Sequence, residues 1–217
     1  MFAQPMQLTK LEHAALILEE AGHRLYIDPG AFTTAITDGT NAVAVVITHE
    51  HADHWTPEQL NRIISKSPEV KIYGPSGVVA AAKDFDIIEV KPGDTVNADP
   101  FTLRFFGGVH AEIHSSIPLV DNVGVIVNDT LYYPGDSFAV PEGETIDTLA
   151  VPAGAPWMKV AEAMDYIALL KPKRAFPTHE MVLSQAGKNL SNARFADMTV
   201  AAGGEYFPLE PGETLQL

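Results

Sequence analysis

Cysteine is absent from this 217-residue chain. That absence removes disulfides, thiolate metal ligands and a cysteine nucleophile together. Cations are scarce: 14 Lys and Arg stand against 28 Asp and Glu, for a formal net charge of −14. So acidic a surface repels nucleic-acid phosphates and anionic membranes, and no run of Lys and Arg makes a local exception. Long apolar runs are also missing; none approaches the ~20 residues that cross a bilayer. Met1 to Lys10 shows no basic stretch followed by an apolar one, so no secretory signal is expected and the default compartment is cytoplasmic. The expected partner is a small-molecule substrate, with no nucleic acid and no membrane. Oligomeric state is left open.

What remains is a globular composition, 46% hydrophobic and 19% charged. The length suffices for one domain with a substantial core or for two small ones. No linker, charge block or low-complexity tract divides it, so residues 1–217 read as a single domain. Short strand patterns recur from Met6 to Tyr133, with helices expected at Pro57–Ser65 and Ser76–Lys83. Asn128-Asp129 marks a tight hairpin. Pro156 is expected to open a helix to Leu170, Gln185–Ala202 to hold the last helix, and Thr214–Leu217 to add an edge strand. Strands in meanders with helices between them predict an α/β protein in which helices face two sheets.

The stretch Thr48-His49-Glu50-His51-Ala52-Asp53-His54 concentrates the chemistry. Three of the eight histidines fall here, beside a carboxylate. The stretch follows the apolar strand Ala42–Ile47 and precedes Trp55-Thr56-Pro57-Glu58-Gln59. There Thr56 reads as an N-cap, Pro57 as the first helical residue and Gln59 as the far side of a capping box. A plain turn would favour Gly, Asn and Ser. A short loop between two rigid elements aims side chains without collapsing. Imidazole nitrogen and carboxylate oxygen suit zinc, manganese or iron. Three further candidates each follow a strand: His110 after Gly107-Gly108, Asp136 after Pro134-Gly135, and His179 after Pro177-Thr178. His114 competes with His110, which sits nearer its strand end.

His-x-His-x-Asp-His at residues 49–54 resembles the signature of the metallo-β-lactamase fold superfamily. The resemblance implies a four-layer αββα sandwich and a metal-dependent hydrolase with two divalent ions. It implies that His49, His51 and His110 hold the first ion, that Asp53, His54 and His179 hold the second, and that Asp136 bridges them. Two ions so held lower the pKa of water to give an attacking hydroxide, with Asp53 orienting it. Diiron flavoproteins share the fold but carry Glu where His51 stands. A metal-binding protein without turnover, or a nucleic-acid phosphodiesterase of the same fold, is the alternative. Leu8–Ala14, Leu25–Gly30 and Tyr133-Pro134-Gly135-Asp136 further resemble the ascorbate-6-phosphate lactonase-like branch, with Glu12 where that branch often has Gly. That branch implies His13 and Asp28 near the pocket floor. With His114 and Trp157, they complete the expected substrate-contacting set.

Overall fold

The computed structural model describes residues 5–217. The first half of the chain gives β1 (Gln7–Lys10), β2 (Leu16–Glu20), β3 (His23–Ile27), β4 (Ala42–Val46), α1 (Pro57–Ile64), β5 (Lys71–Gly74), α2 (Ser76–Ala81) and β6 (Ile87–Glu89). The second half gives β7 (Thr95–Ala98), β8 (Phe101–Val109), β9 (Asp121–Val127), β10 (Leu131–Tyr133), β11 (Thr148–Pro152), α3 (Val160–Leu170), β12 (Arg174–Thr178), α4 (Gln185–Ala201), β13 (Glu205–Tyr206) and β14 (Thr214–Gln216). Two seven-stranded sheets result, with orders β14-β1-β2-β3-β4-β5-β6 and β13-β12-β11-β10-β9-β8-β7.

The period of two decides which faces meet. Leu16 and Leu18 on β2 point inward with Phe101, Leu103 and Phe105 on β8, and all five are buried in one cluster between the sheets. Truncating one of these aromatics costs about 3–5 kcal/mol. The strands buried on both faces, β4 and β11, read as continuous apolar runs and pair in parallel with their neighbours. Each outer face is covered by helices. Leu60 and Ile63 of α1 and Val78 of α2 pack on Tyr26, Val45 and Ile72. Ala163 and Ile167 of α3 and Phe195 of α4 pack on Leu149, Val151 and Ala175. This is the αββα sandwich.

Several expectations need correction. Thr56 does cap α1, its Oγ1 accepting from the Gln59 amide at 3.2 Å. Gln59 closes no capping box, because its side chain is buried and serves the 31–41 loop. It accepts from the Ile36 amide and donates to the Thr33 carbonyl. The helix expected from Pro156 starts only at Val160, since Trp157 is drawn inward by a hydrogen bond. Strand β7 is an addition: its Thr-Val-Asn-Ala is too short to declare itself and is held by pairing with β8. The Asn128-Asp129 hairpin is as expected, with both residues at positive φ, 48° and 51°.

Candidate metal centre

Strand ends at one rim of the sandwich deliver the chemistry. His49 to His54 follow β4, His110 follows β8, Asp136 follows β10 and His179 follows β12. The loop after β4 is pinned from below by the turn Asp28-Pro29-Gly30. The Ala31 amide donates to the Ala52 carbonyl at 2.8 Å. Gly30 is required there, since a Cβ would lie 1.8 Å from the Asp53 carbonyl oxygen. Gly135, at φ +63°, is pressed against Thr48 and Asn122 in the same way. Asn122 then fixes the following residue, its Oδ1 accepting from the Asp136 amide at 3.0 Å.

Each of four imidazoles has its Nδ1 engaged on the outside. His54 Nδ1 is 2.7 Å from Asp28 Oδ2, His110 Nδ1 2.5 Å from the Ala111 carbonyl, His179 Nδ1 2.7 Å from the Gly154 carbonyl, and His49 Nδ1 3.0 Å from Thr48 Oγ1. Thr48 Oγ1 in turn donates to Asp28 Oδ2 at 2.6 Å. An Nδ1–H committed outward leaves the Nε2 lone pair facing inward. The Nε2 atoms of His49, His54, His110 and His179 are all buried and lack a hydrogen-bond partner. Four buried imidazole nitrogens converging on one carboxylate are costly unless a cation, or a proton in its place, meets them. The donor set is nitrogen and carboxylate oxygen without sulfur, which fits a borderline or hard divalent ion.

The donors fall into overlapping groups whose ligand atoms lie within 4.8 Å of one another: His49, His51 and His110; His13, Asp53, His54 and His179; and His49, His54 and Asp136. Asp136 stands between them. Its Oδ1 is 3.2 Å from His54 Nε2, and its Oδ2 is 3.1 Å from His179 Nε2 and 3.4 Å from His110 Nε2.

Electrostatics divide the cluster. Burial pushes the His49 and His51 imidazoles below the ordinary value, His49 far below, and neighbouring imidazoles add to the effect. Burial would do the same to His54 and His179, but Asp136 reverses it, with Asp28 assisting at His54. His54 rises well above the ordinary value and His179 rises to about 9. Burial alone would raise the carboxyls of Asp136 and Asp53. The surrounding imidazoles hold both well below the usual range instead, His54 and His179 acting on Asp136 and hydrogen bonds from His13 and His179 acting on Asp53.

The four residues expected to touch substrate are placed differently. Asp28 and His13 are fully buried beneath the cluster. Asp28 serves His54 and Thr48, and His13 Nε2 lies 3.1 Å from Asp53 Oδ2. The His13 ring also stacks on that of His179, with centroids 3.9 Å apart. Trp157 is buried and its Nε1 donates to Asp136 Oδ2 at 2.8 Å. His114 is exposed and engaged with Ser116, outside all three groups. Ring stacking joins His110 to His49 and His51 instead. Sequence reasoning missed Asn122, the bridging role of Thr48, and an ion pair under the site. Lys10, fully buried, donates from Nζ to Glu180 Oε1 at 2.6 Å. Burial lowers the pKa of Lys10 despite that partner. Its neighbourhood is clasped further by the His179 amide, which donates to the His13 carbonyl at 2.8 Å. A lysine at the end of a strand gives no local signal of such burial.

The family described as "Beta-lactamase superfamily domain" matches residues 7–179. The chain belongs to that superfamily. Protein Rv0786c of Mycobacterium tuberculosis is 36% identical over 200 residues, which cover 89% of this chain and 93% of that one. A UPF0173 metal-dependent hydrolase of Carboxydothermus hydrogenoformans is 25% identical, covering 98% of this chain and all of its own. Among solved structures, Igni18, a metallo hydrolase from Ignicoccus hospitalis, superposes with a TM-score of 0.75 over 99% of both chains at 20% identity. These superfamily relatives agree with the sandwich described above. Their names give no substrate and do not advance the lactonase-branch resemblance.

Proposed function

We propose that this protein is a metal-dependent hydrolase that holds two divalent ions and turns water on an ester, lactone or phosphoester of a small molecule. The observation that carries the reading is the convergence of four buried, partnerless Nε2 atoms around one carboxylate. His49, His51 and His110 would hold one ion, Asp53, His54 and His179 the other, and Asp136 would reach both. Zinc suits this set, and manganese or iron can be accommodated. When bound, such a pair lowers the pKa of water and places positive charge on a substrate oxygen.

The chain's own residues supply the rest. Asp53 is half-buried and so is the carboxylate within reach of an incoming water. It would accept a hydrogen bond from that water and aim it, while His13 holds Asp53 from behind. Trp157 keeps the Asp136 carboxylate in one orientation. Ser137 is no competing nucleophile, because its hydroxyl is buried and donates to the Pro134 carbonyl. The charge of −14 supports a small-molecule substrate over nucleic acid.

Elemental analysis after loading with zinc, and separately with manganese, should find two ions per chain. The loaded protein should hydrolyse members of an ester, lactone and phosphodiester panel. Asp53→Ala should fold yet lose most of kcat, roughly 100-fold or more. A stoichiometry of one ion, or full activity in Asp53→Ala, would overturn the assignment.

A further inference from the structure

The loops that surround the cluster are nearly free of cations. They comprise residues 11–15, 28–36, 47–56, 110–120, 134–139, 153–159 and 179–184. Of the 14 Lys and Arg in the chain, only Lys159 falls in them. Lys10, beneath the site, is fully buried and committed to Glu180. Arg24 and Arg104, on the strands, are committed to carboxylates. The start of α2, beside Glu50, already binds the chain's own Asp121 through the Gly77 amide at 3.0 Å. Recognition of a phosphate or carboxylate away from the reacting bond relies on paired Arg or Lys or on free backbone amides. The site loops supply a single exposed lysine and acids such as Glu50 and Glu112.

The same loops expose apolar side chains. Phe32, Ile117, Leu119, Met181 and Val182 are between 41% and 59% exposed. Phe32 is tied to the site directly, its ring lying 4.9 Å from that of His13, which holds Asp53. Met181 and Val182 follow His179 and Glu180 in the chain. Ile117 and Leu119 stand on the loop that begins at His110. Large exposed apolar groups on loops that carry a polar centre's residues can form the wall that meets a ligand.

We propose that the substrate carries an uncharged, apolar chain on its Phe32 and Met181 side and no anionic group beyond the one that reacts. The proposal rests on the hydrolase reading of the same centre and narrows it, disfavouring phosphorylated sugars and acidic lactones.

Alkyl hydroxamates separate the two claims, because they report on binding without turnover. Their head group is an oxygen ligand for a metal centre, and their tails differ in length and charge. Calorimetry on zinc-loaded protein should show octanohydroxamate binding about tenfold or more tighter than acetohydroxamate, as burial of two or more methylenes would give. The eight-carbon analogue ending in a carboxylate should bind no tighter than acetohydroxamate. The double variant Phe32→Ser with Met181→Ser should lose the chain-length gain and keep its acetohydroxamate affinity. Equal affinity along the neutral series, or preference for the anionic tail, overturns the apolar proposal, even if p-nitrophenyl esters are hydrolysed. Intact chain-length selectivity with no turnover of any ester, lactone or phosphoester removes the hydrolase reading and leaves the apolar preference standing.

Discussion

The two halves of the candidate centre are built from different chemistry. His49, His51 and His110 form an all-nitrogen group in which burial and neighbouring imidazoles push His49 and His51 toward the neutral form. Asp53, His54 and His179, with His13 behind, form a mixed group in which carboxylates hold the imidazoles protonated until a metal displaces the proton. On the proposed two-ion reading, the first half binds its ion at neutral pH, whereas the second must exchange protons for its ion, so that its occupancy would depend on acidity and Asp136 would couple the two.

The largest effect should come from removing that coupling. Asp136→Ala takes away the carboxylate that approaches His54, His110 and His179. It should cost roughly 100-fold or more in kcat and lower the metal content of both halves, read by turnover and elemental analysis. Retention of two ions would break the comparison.

Support from outside the cluster should matter next. Asp28→Asn puts an amide donor against the Thr48 hydroxyl and His54 Nδ1, both of which now donate to Asp28. Metal affinity should fall about 10–100-fold, first in the mixed half. Thr48→Val removes the acceptor of His49 Nδ1 and should weaken the all-nitrogen half instead. Competitive chelator titration separates the two outcomes.

Acidity gives a third comparison. His54 and His179 have pKa values raised on folding, the latter to about 9 from an ordinary 6.5. The His179 contribution to stability is full below pH 6.5 and is lost as pH rises through about 9, and that of His54 is lost in the same direction. Metal-free protein should therefore lose on the order of 1–3 kcal/mol across that window, seen as a falling Tm. Loaded protein should not show the decline, because bound ions hold those imidazoles unprotonated. A flat metal-free profile would remove the contrast between the halves.

The smallest effect is expected at Trp157. Trp157→Phe keeps an aromatic ring beside Phe138 and deletes the hydrogen bond to Asp136. Both ions should remain, and kcat should fall by roughly tenfold or less. Loss of an ion would make Trp157 part of the metal support.

The loop at residues 49–54 was legible because its residues are contiguous and chemically improbable as a turn. His110, Asp136 and His179 were legible because each ends a recognisable strand run. The second layer was not. His13 and Asp28 both take positive φ, at 61° and 46°, a backbone state that no side-chain pattern announces. Their directions therefore could not be read from spacing. The helix signal at Pro156 hid the turn before Val160 at which Trp157 is buried against Asp136. Strand β7 and the inner place of Gln59 depend on partners distant in the chain, which local propensity does not see.

The buried pair of Lys10 and Glu180 joins residues 170 positions apart. It lies under the contact between His13 and His179, so the first strand and the β12 loop close on each other like the ends of a belt. During synthesis the amino-terminal segment leaves the ribosome long before its partner exists. Until residues 174–180 have emerged and docked, Lys10 has no countercharge and the mixed half lacks His179. The growing chain therefore cannot complete the group of His13, Asp53, His54 and His179 until that late segment has docked.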